Sequence, residues 1–133
     1  MAQVNILAAV NVAAAIKSGN LGEYVFMMDT NDYMGTGNKS EGTDELHTLV
    51  TNGDTIVWSV VSIDPNLSIS IHSFHGEAIN EGLIKPAQYP QHDGAVWGGH
   101  VNSAGTNVQY TMTLLVNGKL MTFDPFITSV NPN

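Results

Sequence analysis

Apolar and polar residues alternate along several stretches of this chain, and the alternation predicts strands. From Val108 to Val116 one face reads Val108, Tyr110, Met112, Leu114 and Val116, while Gln109, Thr111 and Thr113 take the other. A period of two is the signature of a strand with one buried face. Asn117-Gly118 follows, and then a second strand-like run, Lys119 to Ile127. Asn and Gly both tolerate positive φ, so the dipeptide predicts a tight antiparallel hairpin. The same arrangement recurs at Asn52-Gly53, between Glu45 to Thr51 and Asp54 to Ile63, and predicts a second hairpin. In that second run Ile56, Trp58 and Val60 oppose Val57, Ser59 and Val61, so both faces are largely apolar, as expected of a central strand. Leu67, Ile69 and Ile71 alternate with Ser68, Ser70 and His72.

Further strands are predicted at Gln3 to Val10, Glu23 to Met28 and, more briefly, Val96 to Val101. Ala13 to Lys17 is rich in helix formers and ends at Gly19, which predicts one or two turns of helix after the first strand. Seven or so short strands with Gly and Pro at the connections point to an all-β fold: an antiparallel two-sheet β-sandwich, immunoglobulin-like or jelly-roll, with at most one short helix. Asp64-Pro65 and Asp124-Pro125 look like strand terminators, because Pro cannot donate to a ladder. At 133 residues, with no repeat and no linker, residues 1–133 read as a single domain.

Charge changes what this fold is expected to do. Four Lys, no Arg and twelve Asp plus Glu leave a net charge of −8, on a chain only 12% charged. That is about half the usual charged fraction. Such a surface cannot neutralise a row of phosphates, so neither nucleic acid nor an anionic membrane surface is expected as a partner. The absence of Cys removes disulfides, thiolate metal sites and Cys nucleophiles together. Ile6 to Ile16 is apolar, but no positive residue precedes it and Asn11 interrupts it. No export signal of the usual kind is therefore expected, and the expected location is cytoplasmic, with non-classical release left open.

Candidate chemistry is sparse. Asp29 and Asn31 fit positions one and three of an EF-hand loop, but Tyr33 stands at the fifth, Met34 replaces the required Gly and Glu41 falls one residue late. A looser calcium site would use Asp29, Asp32 and Glu41. His72 and His75 lie three apart, which on a regular strand puts them on opposite faces, so they would share a metal only if the chain turned at Ser73 or Phe74. No G-x-S-x-G elbow occurs, and Gly35-Thr36-Gly37 lacks the rest of a phosphate loop. The reading is therefore of no catalytic residues, no metal and no cofactor.

Two connections are long enough to be functional, Thr30 to Thr43 and Lys85 to Gly99. The second holds Tyr89, His92 and Trp97, with His100 just beyond. That mixture of flat apolar surface and hydrogen-bonding groups suits a neutral glycan or small ligand, and the four residues form the candidate binding site. The alternative for Trp97 is a plug at one end of the sandwich. Trp58, flanked by Ile56 and Val60 on its face, is expected in the core.

Several phrases together carry a family resemblance. Gly42-Thr43-Asp44-Glu45-Leu46, the run Gly53 to Pro65, Asn117-Gly118-Lys119 and Phe123-Asp124-Pro125-Phe126 resemble the PixA/AidA family of bacterial inclusion-body proteins, closer to the AidA branch. Val4-Asn5-Ile6-Leu7 and the segment from Tyr24 to Tyr33 fit as well. The resemblance implies a small β-sandwich protein of host-associated Gram-negative bacteria, expressed under cell-density control and linked to virulence or colonisation. It implies no enzymatic activity and no shared active-site residues. Six Met residues fall short of the methionine-rich inclusion branch, which argues against a dedicated storage role. The expectation is a non-enzymatic, self-associating accessory protein. The alternative is a lectin-like module that binds glycans through its end loops, with or without Ca²⁺.

Overall fold

The structure, a computed structural model, describes residues 2–33 and 46–132. Its first strand, β1, is Gln3–Val10, buried at Val4, Ile6, Ala8 and Val10 on alternate positions. Helix α1 (Val12–Ser18) follows at once. Asn11 caps it by accepting from the Ala14 amide at 3.2 Å, and Gly19 ends it in the left-handed conformation. The chain continues through β2 (Val25–Asp29), α2 (Thr30–Tyr33), β3 (His47–Thr51), β4 (Thr55–Ser62), β5 (Ile69–His75), α3 (Glu77–Asn80), β6 (Ala87–Gln88), β7 (Val96–His100), β8 (Gly105–Gln109), β9 (Thr111–Val116), β10 (Lys119–Phe123) and β11 (Phe126–Val130). Helix α1 occupies the expected place, but α2 and α3 add two single-turn helices where at most one helix was expected.

The strands form one five-stranded sheet, β2-β1-β4-β7-β6, and two three-stranded sheets, β10-β9-β5 and β3-β11-β8. The fold is mostly β, as expected, but two features correct the expectation of an antiparallel two-sheet arrangement. Three sheets are formed, and β1 pairs with β4, and β11 with β3, in parallel. Neither parallel partner is a sequence neighbour, so alternation along one strand could not reveal the pairing.

The predicted Asn117-Gly118 hairpin is present, with Lys119 opposite Val116 and both turn residues at positive φ. It is also longer than one sheet. Phe123 faces Met112 in one sheet and Phe126 faces Gln109 in the next, so the same register runs through both. The Tyr110 amide donates to the Pro125 carbonyl at 3.0 Å where the strands pass between sheets. Asp124-Pro125 thus interrupts the strand where a terminator was expected, and pairing resumes beyond it.

The predicted hairpin at Asn52-Gly53 does not form. The Asp54 amide closes a turn on the Thr51 carbonyl at 2.9 Å with Gly53 at φ 101, but Asn52 is not among the residues with positive φ. One positive φ, at the third position, is the pattern of a turn that splays its flanking strands instead of pairing them. The Asp54 carboxylate reinforces it by accepting from the amides of Thr51 and Ala2, both at 2.9 Å. β3 and β4 accordingly leave for different sheets.

The core lies on the inner face of the five-stranded sheet. Trp58 is fully buried, as expected, with its ring 4.8 Å from Phe74 of β5 and 6.2 Å from Tyr110. β4 is the central strand, but its second face is only half-covered at Val57 and Ser59 and exposed at Val61.

Candidate functional site

The four predicted site residues come from the connection before β7 and from β7 itself, and the pleat of that strand decides what they can share. Trp97 pairs with Trp58 and so points to the inner face, where its ring lies 5.3 Å from Phe74. Its Nε1 is shielded from solvent and has no hydrogen-bond partner among the described residues. His100 pairs with Thr55 and faces outward, its Nδ1 3.1 Å from Thr55 Oγ1. Tyr89 lies across Gly98 on that same outer face, so close that a Cβ at Gly98 would overlap its ring. His92 closes a short 3-10 turn, Pro90–His92, and its side chain lies outside the described residues.

Tyr89 and His100 therefore share one shallow cleft of about 460 Å³, with Thr55, Lys85, Ala87 and Asn102, and Trp97 stands on the opposite side of the sheet. The period of two already separates Trp97 from His100, three positions on. What sequence could not supply was Tyr89 folding back over Gly98. That requires a glycine at the strand position beneath the ring.

The calcium candidates are divided. Asp29 is buried and accepts from Thr48 Oγ1 at 2.7 Å, which fixes the end of β2 against β3. Asp32 has no described side chain and Glu41 lies outside the described residues. Among the described residues no group of three or more His, Asp or Glu side chains is placed to hold a metal ion.

Two arrangements lie outside the expected site. One is the outer face of the five-stranded sheet. Cross-strand register places Phe26, Ala9 and Val61 in one row, and Met28, Leu7, Ser59 and Val96 in the next. Phe26 is 50% exposed and Val61 47%. No Asp, Glu or Lys on β1, β2, β4 or β7 faces this side, because Asp29, the one such residue on these strands, points inward. The other arrangement is His72, Ser73 and His75 on β5, which lie close together on the surface.

A family model described as a domain of unknown function (DUF8788) matches residues 2–122. The chain belongs to that family. No curated protein matches this DUF8788 chain. Among solved structures it is similar to the inclusion body protein PixA of Burkholderia cenocepacia J2315, with a TM-score of 0.59 and 15% identity over 98% of this chain and 95% of that one. At that identity the likeness is one of fold, and in fold the resemblance to the PixA family holds over nearly the whole DUF8788 chain. No helix among the described residues is long and apolar enough to cross a membrane.

Proposed function

We propose that this is a non-enzymatic PixA/AidA-like accessory protein that self-associates through the outer face of its five-stranded sheet. The observation that carries the reading is that face. Copies with a net charge of −8 repel one another, so a stable contact is favoured where charge is absent and apolar side chains are exposed. Phe26, Leu7, Met28, Val57 and Val61 supply such a surface across three adjacent strands. The fold shared with an inclusion body protein supports accumulation as ordered assemblies. The sequence resemblance supports expression under cell-density control in a host-associated bacterium, within the cytoplasm.

Sedimentation velocity across a concentration series tests this. Wild type is expected to associate, and Phe26→Glu to shift the distribution toward monomer, because a carboxylate on each copy would be brought into the contact. A wild-type protein that stays monomeric throughout would rule the proposal out.

A second reading rests on the cleft beneath Tyr89. Its ring, the His100–Thr55 pair and Lys85 offer a flat apolar surface beside hydrogen-bonding groups, which favours a neutral glycan or a small polar ligand. A glycan panel read by isothermal titration, with binding expected in wild type and lost in Tyr89→Ala, would separate it from self-association.

A further inference from the structure

On a regular strand His72 and His75 would point to opposite faces, but β5 is not regular. Ile71 pairs with Leu114 and Ser73 with Thr113, so two residues of β5 advance while β9 advances by one, and His72 is the extra residue. Such a bulge inserts one residue into the pleat and re-aims the side chains beyond it. Ile71 and Phe74 consequently both face the core, while His72, Ser73 and His75 all stand on the outer surface. There the Ser73 hydroxyl lies 3.1 Å from His72 Nδ1 and 3.0 Å from His75 Nε2. A hydroxyl has one proton, so it donates to one ring nitrogen and accepts from the other. Two imidazole nitrogens therefore converge on one point at the protein surface.

We propose that His72 and His75 form a bidentate site for a divalent transition-metal cation of the imidazole-seeking class, with Cu²⁺ bound most tightly. Neutral imidazole is a favoured ligand for copper, nickel and zinc, and among these Cu²⁺ heads the affinity order at a given nitrogen site. Both side chains are exposed and free to rotate toward the roughly 3.0 Å nitrogen separation that two cis bonds of about 2.1 Å require in a tetragonal Cu²⁺ site. The bound state carries the ring protons on His72 Nε2 and His75 Nδ1, which face away from the metal, and water fills the remaining positions. Across the sheet His75 pairs with Thr111, whose hydroxyl donates to the Asp124 carboxylate at 2.7 Å, so a carboxylate is held by the residue opposite His75. β5 and β9 carry no lysine, and Lys119 stands at the far end of β10, opposite Val116. The site is on a different sheet from the face proposed for self-association and stands independently of it.

Isothermal titration of the full chain with Cu²⁺, Ni²⁺, Zn²⁺ and Mg²⁺, in a non-chelating buffer near pH 7.5, tests the assignment. One Cu²⁺ per protomer is expected, with weaker Ni²⁺ and Zn²⁺ and no response to Mg²⁺. His72→Ala and His75→Ala should each weaken Cu²⁺ at least roughly tenfold, since losing even a supporting partner costs about 10–100-fold, whereas His100→Ala should leave it unchanged. In NMR spectra of wild type, substoichiometric Cu²⁺ should broaden the ring signals of His72 and His75 before those of His47, His92 and His100. Absence of Cu²⁺ binding, broadening centred on another histidine, or binding that survives both substitutions would overturn the proposal.

Discussion

Ile71 and Phe74 lie three residues apart on one strand and both face the core, Ile71 against the inner side of β9 and Phe74 between Trp58, Trp97 and Tyr110. Only the extra residue between them makes this compatible with the strand's period of two.

The bulge therefore depends on the length of β5 and not on the identity of residue 72. His72→Ala is expected to stay within about 0.5 kcal/mol of wild type, as for other exposed positions. Deleting His72 should cost more than about 3 kcal/mol, because it sends either Ile71 or Phe74 to the surface and empties the core of a large side chain. Urea unfolding of the two variants, compared at their midpoints, checks the contrast.

Trp58 Nε1 donates to Tyr110 Oη at 3.2 Å in a fully buried pair. Tyr110→Phe leaves the indole N–H without its acceptor and should destabilise by about 1–3 kcal/mol. Trp58→Phe added to Tyr110→Phe should cost less than the two single changes summed, since the second removes a group the first had already orphaned. A double-mutant cycle in urea provides the measurement.

The same pair sets an alkaline limit. Burial is the main cause that holds the Tyr110 phenol well above its ordinary ionisation range; the Trp58 hydrogen bond opposes it in part, and the negative charge of Asp29 adds a smaller rise. In the unfolded chain that phenol ionises near pH 10. Above that pH the unfolded state releases a proton that the folded state keeps, so stability falls as pH rises, by about 1.4 kcal/mol per unit from this residue. Tyr110→Phe should remove that component. Unfolding free energies between pH 9 and 11 should decline less steeply in the variant, and equal slopes would contradict the assignment.

Gly98 and Gly99 are adjacent on β7 yet should respond differently to Ala. A Cβ at Gly98 meets the Tyr89 ring, which can swing away, whereas a Cβ at Gly99 comes 2.8 Å from the Lys85 carbonyl oxygen and 3.2 Å from Pro86 Cα. Backbone cannot yield as a side chain can, so Gly99→Ala should lower the melting temperature clearly more than Gly98→Ala. Gly98→Ala should instead reshape the cleft, visible as shifted NMR ring signals of Tyr89.

Local chemistry was legible wherever it acted within a few residues. Asn11 and Gly19 bounded α1, and Asn117-Gly118 fixed the long hairpin. Alternation from Val108 to Val116 named residues that are buried, and it placed Trp58 in the core. The candidate site was only partly legible: the residues of the connection before β7 could be named, but Tyr89 reaches its place by folding over Gly98, and Trp97 turns inward with the pleat of β7.

Sequence alone determined the β character of the chain, the Asn117-Gly118 hairpin, the buried face of β9 and the place of Trp58 in the core, because these follow from side-chain period and from φ preferences of single residues. Tertiary structure decided which strands pair. β1 finds β4 and β3 finds β11 in parallel across long separations, and the Asn52-Gly53 turn splays because the Asp54 carboxylate and the Val130 carbonyl claim its amides. It also decided the bulge at His72, which exists because two large apolar side chains three residues apart must share one core.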